Sequence, residues 1–399
     1  MNKKKRIDLL TPHTVFYVMG MLLLYFIFAE IVLRVSGTKN VLNELEYYAS
    51  MVFTRKEWRE AENFRNDLLN IGIRGRMIKG TIIYNYRPAG SETVNFNSLG
   101  FRGKEIGKKG DDEYRIAIVG ASRIWGSFLP DNKTIPVMVE KKLREQIPEK
   151  NITVVNLGVE GSDLQRGIAT AKYFMDKIEP DLIVFYGGFT DMSYAYIFGN
   201  VEWLPFTSDS DMDEETFQNL IRSIYPDKWW QRSRVINLAI TSAKAELGLT
   251  IAKNIQFDDI FSIAIPEQQS KTAKEFPSVF FNRVNNAHEY FQNKGVEQIF
   301  ILPSTVQLKQ RISELEEKII SNYELIFPGY NAFIKKCYEG VLDYFSSTDI
   351  SFTFIDHNYI FDEEVETIYF DGMHVSPRGS KIIGESISEI IFDFLTKND

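Results

Sequence analysis

Cysteine and histidine are scarce in this chain of 399 residues. The single cysteine, Cys337, excludes an intramolecular disulfide and a metal site built on several thiolates. It lies in an aromatic-rich segment with helical periodicity, which predicts a small buried residue. The candidates for an imidazole base are correspondingly few: His13, His288, His357 and His374.

Positive charge is also in deficit, with 46 lysines and arginines against 54 aspartates and glutamates. Non-specific nucleic-acid binding needs a basic surface that neutralises phosphates, so nucleic acid is not expected as a partner. The hydrophobic fraction of 44% and the charged fraction of 25% are typical of a globular protein.

The N-terminus departs from globular chemistry. A basic cluster at residues 3–6 (KKKR) precedes an apolar run from Thr14 to Leu33. About 20 apolar residues form a helix long enough to cross a hydrocarbon core of roughly 30 Å. The pattern predicts a transmembrane anchor with a cytoplasmic N-terminus and an extracytoplasmic remainder. A cleaved signal peptide is the alternative, but an A-x-A-like cleavage site is missing.

The chain divides into three predicted regions: residues 1–35 as basic tail and anchor, 36–113 as a juxtamembrane connecting region, and 114–399 as the main domain. Within the connecting region, residues 40–72 have a helical pattern. Short strands are predicted at Gly80–Tyr86 and Val94–Phe96, around a turn at Pro88–Gly90.

The main domain alternates apolar runs with helical patterns, which predicts a parallel sheet between two layers of helices. The fold class is therefore α/β, a three-layer flavodoxin-like α/β/α domain with a central five-stranded parallel sheet. The predicted strands are Arg115–Val119, Ile152–Asn156, Leu182–Tyr186, Gln298–Leu302 and Ser351–Ile355. The predicted helices are near 136–147, 163–178, 274–294 and 328–347, and from Pro377 to about Leu395.

The interval at about 192–296 is too long for a simple crossover and predicts a helical insertion. Insertions after the carboxyl ends of strands often cover an active site, whereas a packing appendage is the other interpretation. Both remain open, although the aromatic residues of this interval would suit a binding surface.

Three glycine-containing segments follow the first three predicted strands, where open parallel sheets place their sites. In the first, Gly120-Ala121-Ser122 allows a sharp turn that exposes a serine hydroxyl, although a helix N-cap is an equally simple reason for Ser122. It is not a G-x-S-x-G elbow, because Ile124 replaces the last glycine. The others, Val155–Ser162 and Gly187–Asp191, can aim backbone N–H groups at an oxyanion or serve as plain turns.

A fourth segment near the C-terminus reads Asp371-Gly372-Met373-His374, followed by Ser376-Pro377. An aspartate three residues before a histidine can accept the Nδ1–H, which leaves Nε2 free to take a proton from a serine. Ser376-Pro377 suits the start of a closing helix, so His374 is predicted in the loop before it. A surface turn is the alternative.

Together these segments resemble the SGNH (GDSL-like) serine hydrolase family over about residues 114–395, interrupted by the insertion. The resemblance implies Ser122 as nucleophile, Asp371 and His374 as the rest of the triad, and Gly161 as an oxyanion donor beside the backbone N–H of Ser122. The stretch Asn97–Gly103 (NSLGFRG) resembles membrane-anchored members of the family.

Two positions depart from the family pattern. Ala121 stands where the family has aspartate, at a position that is not catalytic. Thr190 stands where the family has an asparagine that donates to the oxyanion, and its hydroxyl is shorter. Loss of one such donor typically lowers kcat by about 10²–10³-fold.

The resemblance implies an esterase or O-acyltransferase that forms an acyl-enzyme and requires no metal or organic cofactor. The expected substrates are O-acyl, above all O-acetyl, groups of cell-surface or exported glycans, with a membrane-bound acyl donor as a candidate partner. Two alternatives remain: a lipase or lysophospholipase, and a catalytically weak glycan-binding or assembly factor.

Overall fold

The computed structural model describes residues 12–35, 49–72, 75–78, 83–202, 235–236 and 264–398. Two compact units divide the chain, one formed by residues 1–47 and 226–254 and the other by residues 48–225 and 255–399. In the first unit, helix α1 spans Pro12–Val35 and covers the predicted apolar run. Of the helices in the described ranges, none is both long and apolar enough to cross a membrane.

The second unit opens with helix α2 (Arg55–Ile71), which begins at a capping box. The Thr54 hydroxyl accepts from the Glu57 N–H, while the Glu57 carboxylate accepts from the Thr54 N–H. Two antiparallel pairs follow: β1 (Gly75–Met77) with β2 (Tyr84–Tyr86), and β3 (Ala89–Gly90) with β4 (Asn95–Phe96).

The prediction of a turn at Pro88–Gly90 was wrong in detail, because Ala89 and Gly90 pair with Phe96 and Asn95. The reversal lies farther along instead, where the Ser91 N–H donates to the Val94 carbonyl at 2.8 Å. The predicted strand at Gly80–Tyr86 is found at Tyr84–Tyr86, and residues 79–82 lie outside the described residues.

Five parallel strands form the central sheet in the order β6-β5-β7-β8-β9. They are β5 (Glu113–Gly120), β6 (Asn151–Gly158), β7 (Leu182–Tyr186), β8 (Glu297–Leu302) and β9 (Thr353–Asp356). Each predicted strand is confirmed, with β9 beginning two residues later than expected. The strand order changes direction between β5 and β7, which is the topological switch point of the sheet. The carboxyl ends of β5, β6 and β7 are therefore neighbours.

Helices cover both faces of this sheet. In chain order they are α3 (Ser122–Trp125), α4 (Ile135–Gln146), α5 (Leu164–Ile178), α6 (Phe189–Phe198), α7 (Pro266–Gln292), α8 (Glu314–Ile326), α9 (Tyr330–Ser346) and α10 (Pro377–Asn398). Successive side chains of β5 point to opposite faces of the sheet, so alternate residues pack in two different hydrophobic cores. Ile116 and Ile118 pack with α4 and α10, whereas Ala117 and Val119 pack with α5, α7 and α9.

The predicted insertion begins and ends in ordinary helices of this layered fold, α6 and α7. Its centre, residues 203–234 and 237–263, lies outside the described residues, so its relation to the active site stays a prediction. Among the helices of the described residues that the sequence pattern did not reveal is α8, whose exposed surface is rich in glutamate. It starts at a capping box formed by Ser313 and Glu316.

Candidate active site

Ser122 is the first residue of α3, directly after the turn that ends β5. The turn requires glycine at position 120, because a Cβ there would lie 2.5 Å from Ile124 Cγ1 and 2.8 Å from the Tyr186 carbonyl oxygen. Gly158 at the end of β6 is equally constrained, since a Cβ would lie 2.2 Å from the Trp125 nitrogen. Two glycines that the sequence marked thus let the nucleophile helix approach both strands closely.

The structure brings Ser122, His374 and Asp371 into hydrogen-bond contact across 252 residues of chain. His374 Nε2 lies 2.7 Å from Ser122 Oγ, and His374 Nδ1 lies 2.5 Å from Asp371 Oδ2. The second oxygen of Asp371 accepts the backbone N–H groups of Met373 and His374, at 2.7 and 2.5 Å. The carboxylate therefore holds both the imidazole and the loop that carries it, the arrangement of a serine hydrolase triad.

Asp371 is 7% exposed, so its ionisation state depends on its partners. Burial alone would raise the pKa of Asp371, but the charge of His374 and three hydrogen bonds outweigh it and hold the pKa below its usual range. The group therefore remains a carboxylate, which favours the His374 tautomer with the proton on Nδ1.

A group of packed phenylalanine rings lies against the imidazole of His374. The Phe370 ring stacks on His374 with centroids 5.8 Å apart and planes inclined by 13°. Phe128 and Phe53 pack edge-on against Phe370, at 5.5 and 5.4 Å. Phe53 comes from the segment that the sequence assigned to the connecting region, so this segment contributes to the environment of the triad.

The NSLGFRG stretch contributes through Arg102, whose side chain is buried. Its guanidinium donates to the carbonyl oxygens of Trp125, Gly126 and Leu129, three to seven residues after the nucleophile, and pairs with Asp131 at 2.7 Å. It also lies over the Trp125 ring, 4.9 Å from the centroid. The sequence singled out this stretch by resemblance alone; the structure gives it a role in fixing the loop behind Ser122.

A pocket opens beside the nucleophile, lined by Ser122, Ser162, Gly188, Thr190 and Met373 among others. Thr190 lies in the first turn of α6 and is half-buried there. Gly161 lies in the loop between β6 and α5 with a φ of +67°, a conformation that favours glycine, and its carbonyl accepts the Tyr194 hydroxyl at 2.7 Å. Gly161 in its loop and Thr190 at the start of α6 thus both lie at the carboxyl edge of the sheet, and their oxyanion donor roles stay predictions.

Two buried carboxylates lie at the starts of α5 and α6. Asp163 caps α5 by accepting the Arg166 N–H at 2.8 Å and pairs with its guanidinium at 3.0 Å. Asp191 accepts the Leu164 N–H at 2.9 Å, which ties the start of α6 to the start of α5. Burial, with the negative charge of Asp163, raises the pKa of Asp191, and Arg283 opposes the shift.

Two of the remaining histidines have partners outside the triad. His288 Nδ1 bonds the Gln298 side chain at 2.7 Å, and His357 Nε2 bonds Ser386 at 2.8 Å. The side chain of His13 lies outside the described residues. Within the described ranges, no group of three or more histidine, cysteine or acidic side chains is arranged to hold a metal ion. Cys337 is buried, as predicted, on α9.

No protein-family model and no curated protein matches the chain. Among solved structures it is similar to a member of the lipolytic G-D-S-L family from Veillonella parvula, at 12% identity and a TM-score of 0.35, covering 70% of this chain and 97% of that one. It is also similar to Axe2, an acetylxylan esterase from Geobacillus stearothermophilus, at 13% identity and a TM-score of 0.30, covering 69% and 92%. An α/β hydrolase from the metagenome of Lake Arreo matches at 13% identity and a TM-score of 0.34, covering 69% and 93%. These overall similarities are loose.

Proposed function

We propose that the chain is a serine esterase that acts through an acyl-enzyme at Ser122. The observation that carries the proposal is the continuous hydrogen-bonded row from Asp371 through His374 to Ser122, with donor–acceptor distances of 2.5 and 2.7 Å. A serine beside a hydrogen-bonded imidazole, itself oriented by a buried carboxylate, is the arrangement that activates a hydroxyl as a nucleophile.

The chemistry has two half-reactions. His374 Nε2 takes the Ser122 proton as Oγ attacks the ester carbonyl, and the backbone N–H groups of Ser122 and Gly161, with the Thr190 hydroxyl, stabilise the oxyanion. The imidazolium then gives its proton to the leaving alcohol, and the acyl group stays on Ser122. Water releases the acyl group as a carboxylic acid, or a sugar hydroxyl takes it, and the same residues carry hydrolysis and transfer.

The proposed substrates are short O-acyl groups, above all O-acetyl groups, of cell-surface or exported glycans. The pocket beside Ser122 is lined by apolar side chains such as Leu164, Phe189 and Met373 as well as by Ser162 and Thr190, and its cavity volume is about 30 Å³. A short acyl group suits a cavity of this size better than a long acyl chain, which needs an extended apolar cleft.

The proposed location is extracytoplasmic, with the N-terminal segment as membrane anchor. The support is the sequence of residues 3–33, a basic cluster followed by an apolar run. The large apolar side chains of Leu24, Tyr25 and Phe28 on α1 are 62, 72 and 64% exposed, which suits a lipid surface. Resistance of the full chain to alkaline carbonate extraction tests the anchor, and release into the soluble fraction would contradict it.

The deciding experiment follows p-nitrophenol release by the detergent-solubilised full chain from acetyl, butyryl and longer esters, with Ser122→Ala as the comparison. Acetyl-selective turnover that the substitution abolishes supports the proposal, and added acceptor sugars then separate transfer from hydrolysis. Activity that rises with acyl length would favour a lipase. Absence of any Ser122-dependent turnover would favour a binding or assembly factor, for which the threonine at position 190 is the argument from sequence.

A further inference from the structure

Arg123, the residue after the nucleophile, is a buried cation without an acidic partner. It is 8% exposed, and its hydrogen bonds in the described residues go to backbone carbonyl oxygens and not to carboxylates. Burying a guanidinium away from water is costly unless its donors are satisfied. Two of its nitrogens, Nε and Nη1, are hydrogen-bonded, whereas Nη2 has no hydrogen-bond partner among the described residues. The two bonds that hold the side chain therefore indicate what it does.

The guanidinium joins three parts of the site. Nε donates to the Met373 carbonyl, and Nη1 donates to the Ser304 carbonyl at 2.7 Å, in the loop after β8. The Tyr369 ring lies 5.5 Å from Arg123 Cζ, a cation–π distance. Tyr369 precedes the Asp371–His374 loop, Met373 belongs to it, and Ser304 lies in the loop after β8.

Two adjacent residues of α3 thus bond two adjacent residues of the histidine loop. Ser122 bonds His374, and the next residue, Arg123, bonds the residue before His374. Because α3 and the histidine loop are far apart in sequence, their relative position depends on contacts of this kind. A displacement of about 1 Å at a reacting group can lower the rate about 10²-fold.

We propose that Arg123 is a positioning residue that fixes the histidine loop against the nucleophile helix, so that His374 Nε2 stays in line with Ser122 Oγ. The inference rests on the proposed esterase function. A lysine cannot replace Arg123, because one ammonium group cannot reproduce the planar fork that reaches the Met373 and Ser304 carbonyls together.

Arg123→Lys tests the proposal, with Arg115→Lys as matched control. Arg115 is also buried and on the same strand–helix unit, but at the opposite end of β5, where it pairs with Glu113 and donates to the Ile178 carbonyl at 2.8 Å. Both variants are expected to unfold at lower urea concentration. Only Arg123→Lys is expected to lower kcat, by about 10²-fold with KM changed less than about threefold.

Chemical rescue adds a readout that a purely structural role would not move. Added guanidinium at millimolar concentration is expected to restore part of the kcat of Arg123→Ala, and to leave Arg115→Ala unchanged. A wild-type kcat in Arg123→Lys overturns the proposal. Equal losses of kcat in the Arg123 and Arg115 variants, without rescue, overturn it as well, because the effect would then be one of global stability.

A readout independent of turnover separates this inference from the esterase proposal. The His374 Nδ1 proton, bonded to Asp371, should give a low-field NMR resonance that disappears in His374→Gln. If wild type fails to react with a fluorophosphonate at Ser122, the esterase proposal fails. The positioning role still stands if Arg123→Lys shifts or broadens that resonance, and it is overturned if the resonance is unchanged.

Discussion

Replacing Asp371 by asparagine separates the orientation of His374 from the packing of its loop. In the structure one carboxylate oxygen accepts His374 Nδ1–H, and the other accepts the N–H groups of Met373 and His374. Asparagine keeps the shape of the side chain but has one acceptor oxygen and one donor amide. It cannot satisfy all three bonds.

The amide has two orientations, and their energies differ. If its oxygen keeps the backbone N–H groups of Met373 and His374, its NH₂ faces His374 Nδ1, which must then act as acceptor. The imidazole proton moves to Nε2 and points at Ser122 Oγ, so the base is blocked. The flipped orientation leaves two buried N–H groups facing a donor, at a cost of about 1–3 kcal/mol each. The blocked tautomer therefore dominates.

The expected result for Asp371→Asn is a fall of about 10⁴ in kcat, the magnitude found when a triad histidine adopts the wrong tautomer. This corresponds to about 5.4 kcal/mol of transition-state stabilisation. Steady-state hydrolysis of p-nitrophenyl acetate measures it, and Asp343→Asn, at an exposed carboxylate on α9, is the matched control. A variant with more than about one tenth of the wild-type kcat would refute the orienting role.

The same substitution has a pH signature. Because the folded-state pKa of Asp371 is held below its unfolded value, its ionised form stabilises the fold above the ordinary aspartate pKa of about 3.9, and that contribution is lost as pH falls through the folded value. Urea unfolding should show wild type more stable than Asp371→Asn at pH 7. The difference should shrink in acid, and a constant difference would contradict the linkage.

Three further predictions concern neighbouring positions. Thr190→Asn adds a longer amide donor at the pocket and should raise kcat on acetyl esters at least about tenfold, a part of what one oxyanion donor contributes; an unchanged kcat would remove Thr190 from the oxyanion site. Gly158→Ala should lower the free energy of unfolding by about 1–3 kcal/mol, because its Cβ would lie 2.2 Å from the Trp125 backbone nitrogen. Gly107→Ala is the control and should leave the free energy of unfolding unchanged, because the space around Gly107 is open. Burial, and secondarily the Arg123 charge, lowers the pKa of His357 to about 3. The free energy of unfolding of wild type should therefore rise with pH between about 3 and about 6.5. In urea unfolding across this range, His357→Gln should show a smaller slope of free energy against pH.

The sequence was informative where one periodicity or one spacing decided the structure. Strands buried on both faces appear as continuous apolar runs, and all five were placed within two residues. The spacing of Asp371 and His374 is local, so their contact could be predicted from the sequence. That Ser122 meets them depends on the segment after β9, which returns from the far edge of the sheet so that α10 packs against α4. The strand–helix alternation does not give this strand order.

The sequence could not reveal the residues that act through tertiary contacts. Arg102 and Arg123 look like ordinary surface arginines, because nothing local shows that each donates to distant backbone carbonyls. A charged residue directly after a nucleophile candidate and directly before the apolar pair Ile124-Trp125 is the one signal that could have indicated Arg123. Phe128, with a φ of +64°, is a case in which the surrounding packing holds a backbone conformation that sequence propensity does not favour.

The packing of Trp125 gives the segment upstream of the sheet a direct connection to the chemistry. This fully buried ring, three residues after the nucleophile, lies 6.1 Å from Phe64, 5.8 Å from Tyr86 and 6.3 Å from Phe96. All three belong to the region before residue 113, as does Arg102 above the same ring. Removing that region would expose the Trp125 ring to water and take away the guanidinium that holds the carbonyl oxygens at the end of α3 and in the turn after it. Because Ser122 has its geometry only while α3 is held in place, the catalytic unit has to begin near residue 48, well before the first strand of the sheet.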